Sequence, residues 1–151
     1  MAESRPTLSY GVLLYPGFGV LDIAGPLEVL NTLSGMNGLE RMTLSVLSKT
    51  MDPINLGSPC QRGVNFKSKQ QYLPTHTFDN APNIDVLLVP GGWGSLLPAD
   101  TTAEVDFIRK AYRGDGCPPL QYLFTICTGS ALAAQGMKFE CRWILDVLIL
   151  G

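Results

Sequence analysis

Charge is sparse in this chain and histidine is nearly absent. Of its 151 residues, 16% are charged and a single one is histidine, His76. The net charge is −2 and there is no basic block, which argues against nucleic acid as a partner. No apolar signal core follows Met1-Ala2-Glu3-Ser4-Arg5-Pro6, so secretory targeting is not expected and a cytoplasmic location with reduced thiols is. The apolar stretch from Trp143 to Leu150 contains Asp146 and is too short to span a bilayer, so no membrane is implied. The four cysteines, Cys60, Cys117, Cys127 and Cys141, form no C-x-x-C pair. With one histidine available, a structural zinc site is not expected. The G-x-S-x-G motif is missing, and Gly17-x-Gly19 does not complete a dinucleotide fingerprint. There is no internal repeat, low-complexity tract or linker.

What remains is apolar: 46% of the chain is hydrophobic, enough for one domain with a core. Leu8 to Tyr15 reads as a first strand, followed by a turn at Pro16-Gly17-Phe18-Gly19. Val20, Ile23, Leu27, Leu30 and Leu33 fall at helical spacing, with Pro26 predicting a kink or a helix that starts near it. Thr43 to Ser48 reads as a second strand, and Met51 to Phe66 as loop with short strand pieces. Ile84 to Val89 has the continuous apolar pattern of a central strand and runs into the glycine loop Pro90-Gly91-Gly92-Trp93-Gly94. Thr101 to Tyr112 reads as a helix stopped by Gly114-Asp115-Gly116, and Leu120 to Ile126 as a buried strand. Strands alternating with helices predict an α/β fold with a mainly parallel sheet and helices on both faces. Ligands of such sheets sit at the carboxyl ends of the strands.

Cys127 is the residue that this pattern singles out. It stands between the last strand and the small residues Thr128-Gly129-Ser130-Ala131, which open a helix. A nucleophile at a sharp strand-to-helix corner is exposed, and a helix N-terminus favours thiolate. Free cysteines more often simply pack, and only the local sequence tips the reading towards chemistry. Gly91 and Gly92 lack side chains, so their N–H groups, with that of Thr128, can form an oxyanion-hole-like cradle or simply make a turn. Asp22 lies in an apolar segment and is read either as a partner for the thiol or as a cap for a helix beginning near Pro26. Glu28 either reaches the same region or faces solvent. Tyr15, Phe18 and Trp93 either line a pocket or belong to the core. His76 is expected to be exposed in a polar loop.

Four motifs then converge on one resemblance: Tyr10-Gly11-Val12-Leu13-Leu14-Tyr15-Pro16-Gly17-Phe18, Leu21-Asp22-x-x-Gly25-Pro26-x-Glu28-Val29, Asp85 to Gly92, and Cys127-Thr128-Gly129-Ser130. Their order and spacing resemble the DJ-1/PfpI superfamily, and most of all its isonitrile hydratase-like branch. Thr128 stands where the protease-like branch has histidine, and Asp22 where the chaperone and glyoxalase-like branch has glutamate. The resemblance implies a flavodoxin-like three-layer sandwich, a homodimer, and a small-molecule substrate with no metal or organic cofactor. It implies hydration of an isonitrile to an N-substituted formamide, with Cys127 as nucleophile, Asp22 as proton donor and Thr128 orienting the intermediate. Glyoxalase- or deglycase-like activity, or a non-catalytic or redox-sensing role for Cys127, are the other readings. The similarity covers about residues 8–138. Residues 139–151 form a divergent apolar tail, so the C-terminal elements of the family are expected to be missing or replaced, through an alternative splice, a frameshift or a mis-called exon.

Overall fold

The computed structural model describes residues 8–36, 42–56, 70–96 and 101–137. The tail 139–151, Cys60 and Cys141 lie outside the described residues, as does most of the expected loop after Leu56.

Five strands form a parallel sheet in the order β5-β2-β1-β6-β7: β1 (Ser9–Leu13), β2 (Thr43–Ser48), β5 (His76–Thr77), β6 (Val86–Val89) and β7 (Tyr122–Thr125). A separate antiparallel pair joins β3 (Ile54–Asn55) to β4 (Gln71–Tyr72). β6 is buried at all four positions, as its unbroken Val-Leu-Leu-Val run requires of a strand covered on both faces. Together with Val12, Leu13, Leu14, Tyr15, Leu47 and Ile108 it forms the centre of the core.

Three α-helices lie among the described residues. α1 (Val20–Ser34) follows β1, α2 (Thr102–Arg113) precedes β7, and α3 (Gly129–Met137) follows it. α2 buries Val105, Ile108 and Ala111 along one stripe, places Lys110 and Arg113 in its last turn, and ends on Gly114 in the left-handed region at φ 76°. α1 begins at Val20, well ahead of Pro26, and runs through it. Its N-cap is Gly19, and Asp22 sits in the first turn, so Asp22 does not cap a helix starting at Pro26. Only Ile23 of α1 is fully buried; Leu21 and Val29 are 84% and 59% exposed.

Two further expectations are corrected. The strand before Cys127 is not buried: it ends the sheet among the described residues, and Tyr122 and Phe124 are about half exposed. His76 lies not in a loop but in β5, opposite Leu47, half-buried and with Nδ1 2.9 Å from the Thr75 hydroxyl. β5 is at the other end of the sheet from β7, so His76 is far from the elbow.

The chain leaves β1 for β2 on one side and later returns to β6 on the other. The connections therefore diverge between β1 and β6, and a crevice opens there at the carboxyl ends of the strands. Asp22 follows β1, Gly91 follows β6 and Cys127 follows β7, which brings all three to this edge.

Candidate active site

Cys127 is exposed and is a free thiol. Its φ is 53°, and it is the sole non-glycine residue with positive φ among the described residues. For an L-residue the left-handed region is unfavourable by about 1–2 kcal/mol, so the surrounding structure has to impose it. The bonds that impose it surround the corner. Ile126 N–H donates to the Val89 carbonyl (3.0 Å), Gly129 N–H to Ile126 (2.9 Å), and the Ser130 hydroxyl to the Cys127 carbonyl (3.0 Å). Gly129 is needed because a Cβ there would overlap the Val89 and Pro90 carbonyls, so α3 can start directly against the end of β6.

Gly91 is the hub of the site. Its N–H donates to Asp22 Oδ2 at 2.9 Å, and its carbonyl accepts from Gly19 N–H at 2.7 Å. The segment after β1 thus clasps the loop after β6 from both sides. A Cβ on Gly91 would lie 2.7 Å from Thr128 N, 2.8 Å from Cys127 Cβ and 2.9 Å from Asp22 Oδ2. Asp22, half-buried, and Cys127 therefore flank the same bare glycine, although no hydrogen bond joins them directly among the described residues.

The neighbouring N–H of Gly92 donates to Thr128 Oγ1 at 3.0 Å. Both glycine N–H groups are thus occupied by Asp22 and Thr128, not open to the cleft. A 3-10 turn, Trp93–Leu96, follows and delivers Ser95, whose hydroxyl lies 2.8 Å from Thr128 Oγ1 and 2.7 Å from the Gly92 carbonyl. Nothing in the sequence marked Ser95; only the folding back of the glycine loop brings it to Thr128.

The floor of the site is apolar. Tyr15 is fully buried, and its hydroxyl donates to the Pro90 carbonyl at 2.6 Å. Burial pushes its phenol far above the ordinary tyrosine range, opposed by the neighbouring Ser95 hydroxyl and reinforced by the charges of Asp22, Cys127 and Glu104. Phe18 is core, edge-on to Tyr72, whereas Trp93 is 59% exposed beside the glycine loop. Glu28 is exposed on α1.

A cleft of about 220 Å³ lies elsewhere, lined by residues including Phe78, Ile84, Phe107, Lys110, Cys117 and Leu120. It contains none of Cys127, Asp22 and Thr128; the chemistry, not the cavity, locates the candidate site at the elbow. No group of three or more metal-ligating side chains occurs among the described residues, and no helix among them is long and apolar enough to cross a membrane.

No family model matches the chain. It is 30% identical over 147 residues to isonitrile hydratase from Pseudomonas putida, covering 94% of this chain and 55% of that protein. The chain thus spans about half the length of this curated relative. DJ-1beta from Drosophila melanogaster superposes with a TM-score of 0.58 at 21% identity, covering 87% of this chain and 61% of that one. A DJ-1 superfamily protein from Agrobacterium tumefaciens superposes with a TM-score of 0.59 at 14% identity, covering 85% and 58%. The resemblance to the DJ-1/PfpI superfamily is therefore borne out in sequence and in fold.

Proposed function

We propose that this chain, which has the DJ-1/PfpI fold, is a cysteine-dependent hydratase that converts an isonitrile to an N-substituted formamide. The observation that carries the reading is Cys127, held at φ 53° and exposed at the elbow, with Asp22 across Gly91 and Thr128 next in sequence. The similarity to isonitrile hydratase supports the choice of substrate class.

In this reaction the Cys127 thiolate attacks the terminal carbon of R–N≡C. Asp22 gives that carbon a proton, which yields the thioimidate R–N=CH–S bound to Cys127. Water then adds to the same carbon. One of its protons goes to nitrogen and the other returns to Asp22, and the tetrahedral adduct expels the thiolate as R–NH–CHO leaves. Asp22 Oδ2 accepts the Gly91 N–H, which steadies the carboxyl while Oδ1 handles the proton. Thr128 donates to the charge that develops at the reacting group. The exposed Leu21 and Val29 on α1 favour a second copy of the chain as the partner, so a homodimer is part of the proposal.

The test is formamide production from a small alkyl isonitrile, followed by NMR. Asp22→Asn keeps an oxygen for the Gly91 N–H but cannot deliver a proton. We expect kcat to fall by roughly 10²–10⁴-fold with little change in melting temperature. A variant that loses stability but keeps turnover would make Asp22 structural. Consumption of methylglyoxal without turnover of the isonitrile would replace the proposal by the glyoxalase-like reading.

A further inference from the structure

We propose that Ser95 is a positioning residue, one that fixes the Thr128 hydroxyl as a hydrogen-bond donor toward whatever is bound at Cys127. This rests on the hydratase reading for its consequence, although not for its geometry.

The Thr128 hydroxyl has two lone pairs and one proton. Gly92 N–H can only donate, so at 3.0 Å it takes one lone pair. Ser95 Oγ, 2.8 Å away, takes either the second lone pair or the proton. Ser95 also lies 2.7 Å from the Gly92 carbonyl, which can only accept. The single Ser95 proton therefore has two destinations, and they define two arrangements. If it goes to the Gly92 carbonyl, Thr128 donates to Ser95 and has nothing to offer a ligand. If it goes to Thr128, both lone pairs of Thr128 are filled and its own proton is released. The remaining protein acceptor, the Gly92 carbonyl, is then 3.3 Å from Thr128 Oγ1, a long contact that a closer acceptor on the substrate outcompetes.

Arrival of an electron-rich group beside Cys127 thus selects the second arrangement. The two hydroxyl protons turn together, and no heavy atom has to move. Ser95 is suited to this because it is 1% exposed, so water does not compete for its proton. Its backbone N–H also donates to the Gly92 carbonyl at 3.2 Å, which locks the residue to the glycine loop. Ser95 makes no hydrogen bond to Cys127 among the described residues, so its action runs through Thr128.

The experiment compares wild type, Ser95→Ala, Thr128→Val and the double variant in isonitrile turnover and in alkylation of Cys127 by iodoacetamide. The position of the Thr128 side chain in crystals of wild type and Ser95→Ala is the second readout. We expect Ser95→Ala to lower kcat by about tenfold with KM little changed, since one directing hydrogen bond is lost. Alkylation of Cys127 should be unaffected, and the double variant should be no slower than Thr128→Val alone. Ser95→Cys fills the same space with a weaker donor; it should fold and fall between wild type and alanine. An unchanged kcat, or fully additive losses in the double variant, would overturn the proposal. If wild type does not hydrate isonitriles, it is the hydratase reading that fails, and the crystals decide on Ser95. A Thr128 hydroxyl that leaves Gly92 N–H in Ser95→Ala supports the positioning role; one that stays in place refutes it.

Discussion

Gly91→Ala tests whether three distant segments really meet at one atom. The added methyl group would sit 2.7 Å from Thr128 N, 2.8 Å from Cys127 Cβ and 2.9 Å from Asp22 Oδ2. Comfortable contacts for such atoms are about 3.5 Å or more, so each neighbour must retreat by roughly 0.7 Å. Asp22 can rotate, but it would release the Gly91 N–H. Thr128 N and Cys127 Cβ belong to the elbow, whose backbone is already in the left-handed region and tied to β6. Relief by small shifts is therefore poor, and the loss belongs in the upper part of the overpacking range, about 2–3 kcal/mol. For a chain of this length that corresponds to a melting temperature lower by roughly 4–12 °C. The alkylation rate of Cys127 should change with it, because the methyl group touches the reacting residue. Gly25→Ala is the control: it lies inside α1 with no atom beyond its chain neighbours and the adjacent helix backbone within 4 Å of the added carbon among the described residues, and should gain about 0.5–1 kcal/mol. Thermal unfolding of both variants, with iodoacetamide kinetics, decides the matter. A Gly91→Ala protein that melts within about 1 °C of wild type and alkylates at the same rate would refute the convergence.

Two further outcomes follow from buried chemistry. Glu104 in the first turn of α2 is 2% exposed, its Oε2 has no hydrogen-bond partner among the described residues, and burial raises its carboxyl above the ordinary value against a weaker pull from its own N–H and from Lys49. The folded state then holds the proton more tightly than the unfolded one. Its contribution is fully present below the unfolded value and is lost as pH rises through the folded one. Urea unfolding should show wild type losing stability as pH rises from about 4 towards neutrality, and Glu104→Gln losing about 1 kcal/mol less, since no charge is created. At the elbow, Cys127→Gly and Cys127→Ala both remove the thiol, but only glycine is at ease at φ 53°. The glycine variant should be the more stable by about 1 kcal/mol in the same assay, and equal stabilities would mean that the elbow stores no strain.

Much of the framework could be read from local pattern. The strand Thr43–Ser48 forms with the expected bounds, its apolar and β-branched residues suiting a strand whose second half is buried. The helix read as Thr101 to Tyr112 is shifted by one residue, since the Gly114 stop and the apolar stripe define it locally. The elbow was legible because a β-run, a cysteine and a string of small residues coincide. β3 falls in the segment read as loop with short strand pieces, but β4 and β5 were not legible, because two residues carry no periodicity and their partners lie far away in sequence, as His76 does from Leu47. Nor was the course of α1: Pro26 is compatible with a kink, a start or a tolerated interior site, and packing of Ile23 beneath the helix selects the last.

The sequence alone determined that this is an α/β protein with a cysteine at a strand-to-helix corner, a bare Gly-Gly loop after the central strand and an acid after the first. Each of these depends on near neighbours: side-chain period, absence of Cβ, or the demands of a turn. Only the tertiary structure decided what these parts do to one another. It directed the Gly91 N–H to Asp22 and the Gly92 N–H to Thr128, and it left the last strand half bare. It also delivered an unmarked serine to the threonine beside the nucleophile. Hydrogen bonds between distant segments, such as Asp22 and Gly91, 69 residues apart in sequence number, depend on sheet order and register, and these are set by the packing of the whole core.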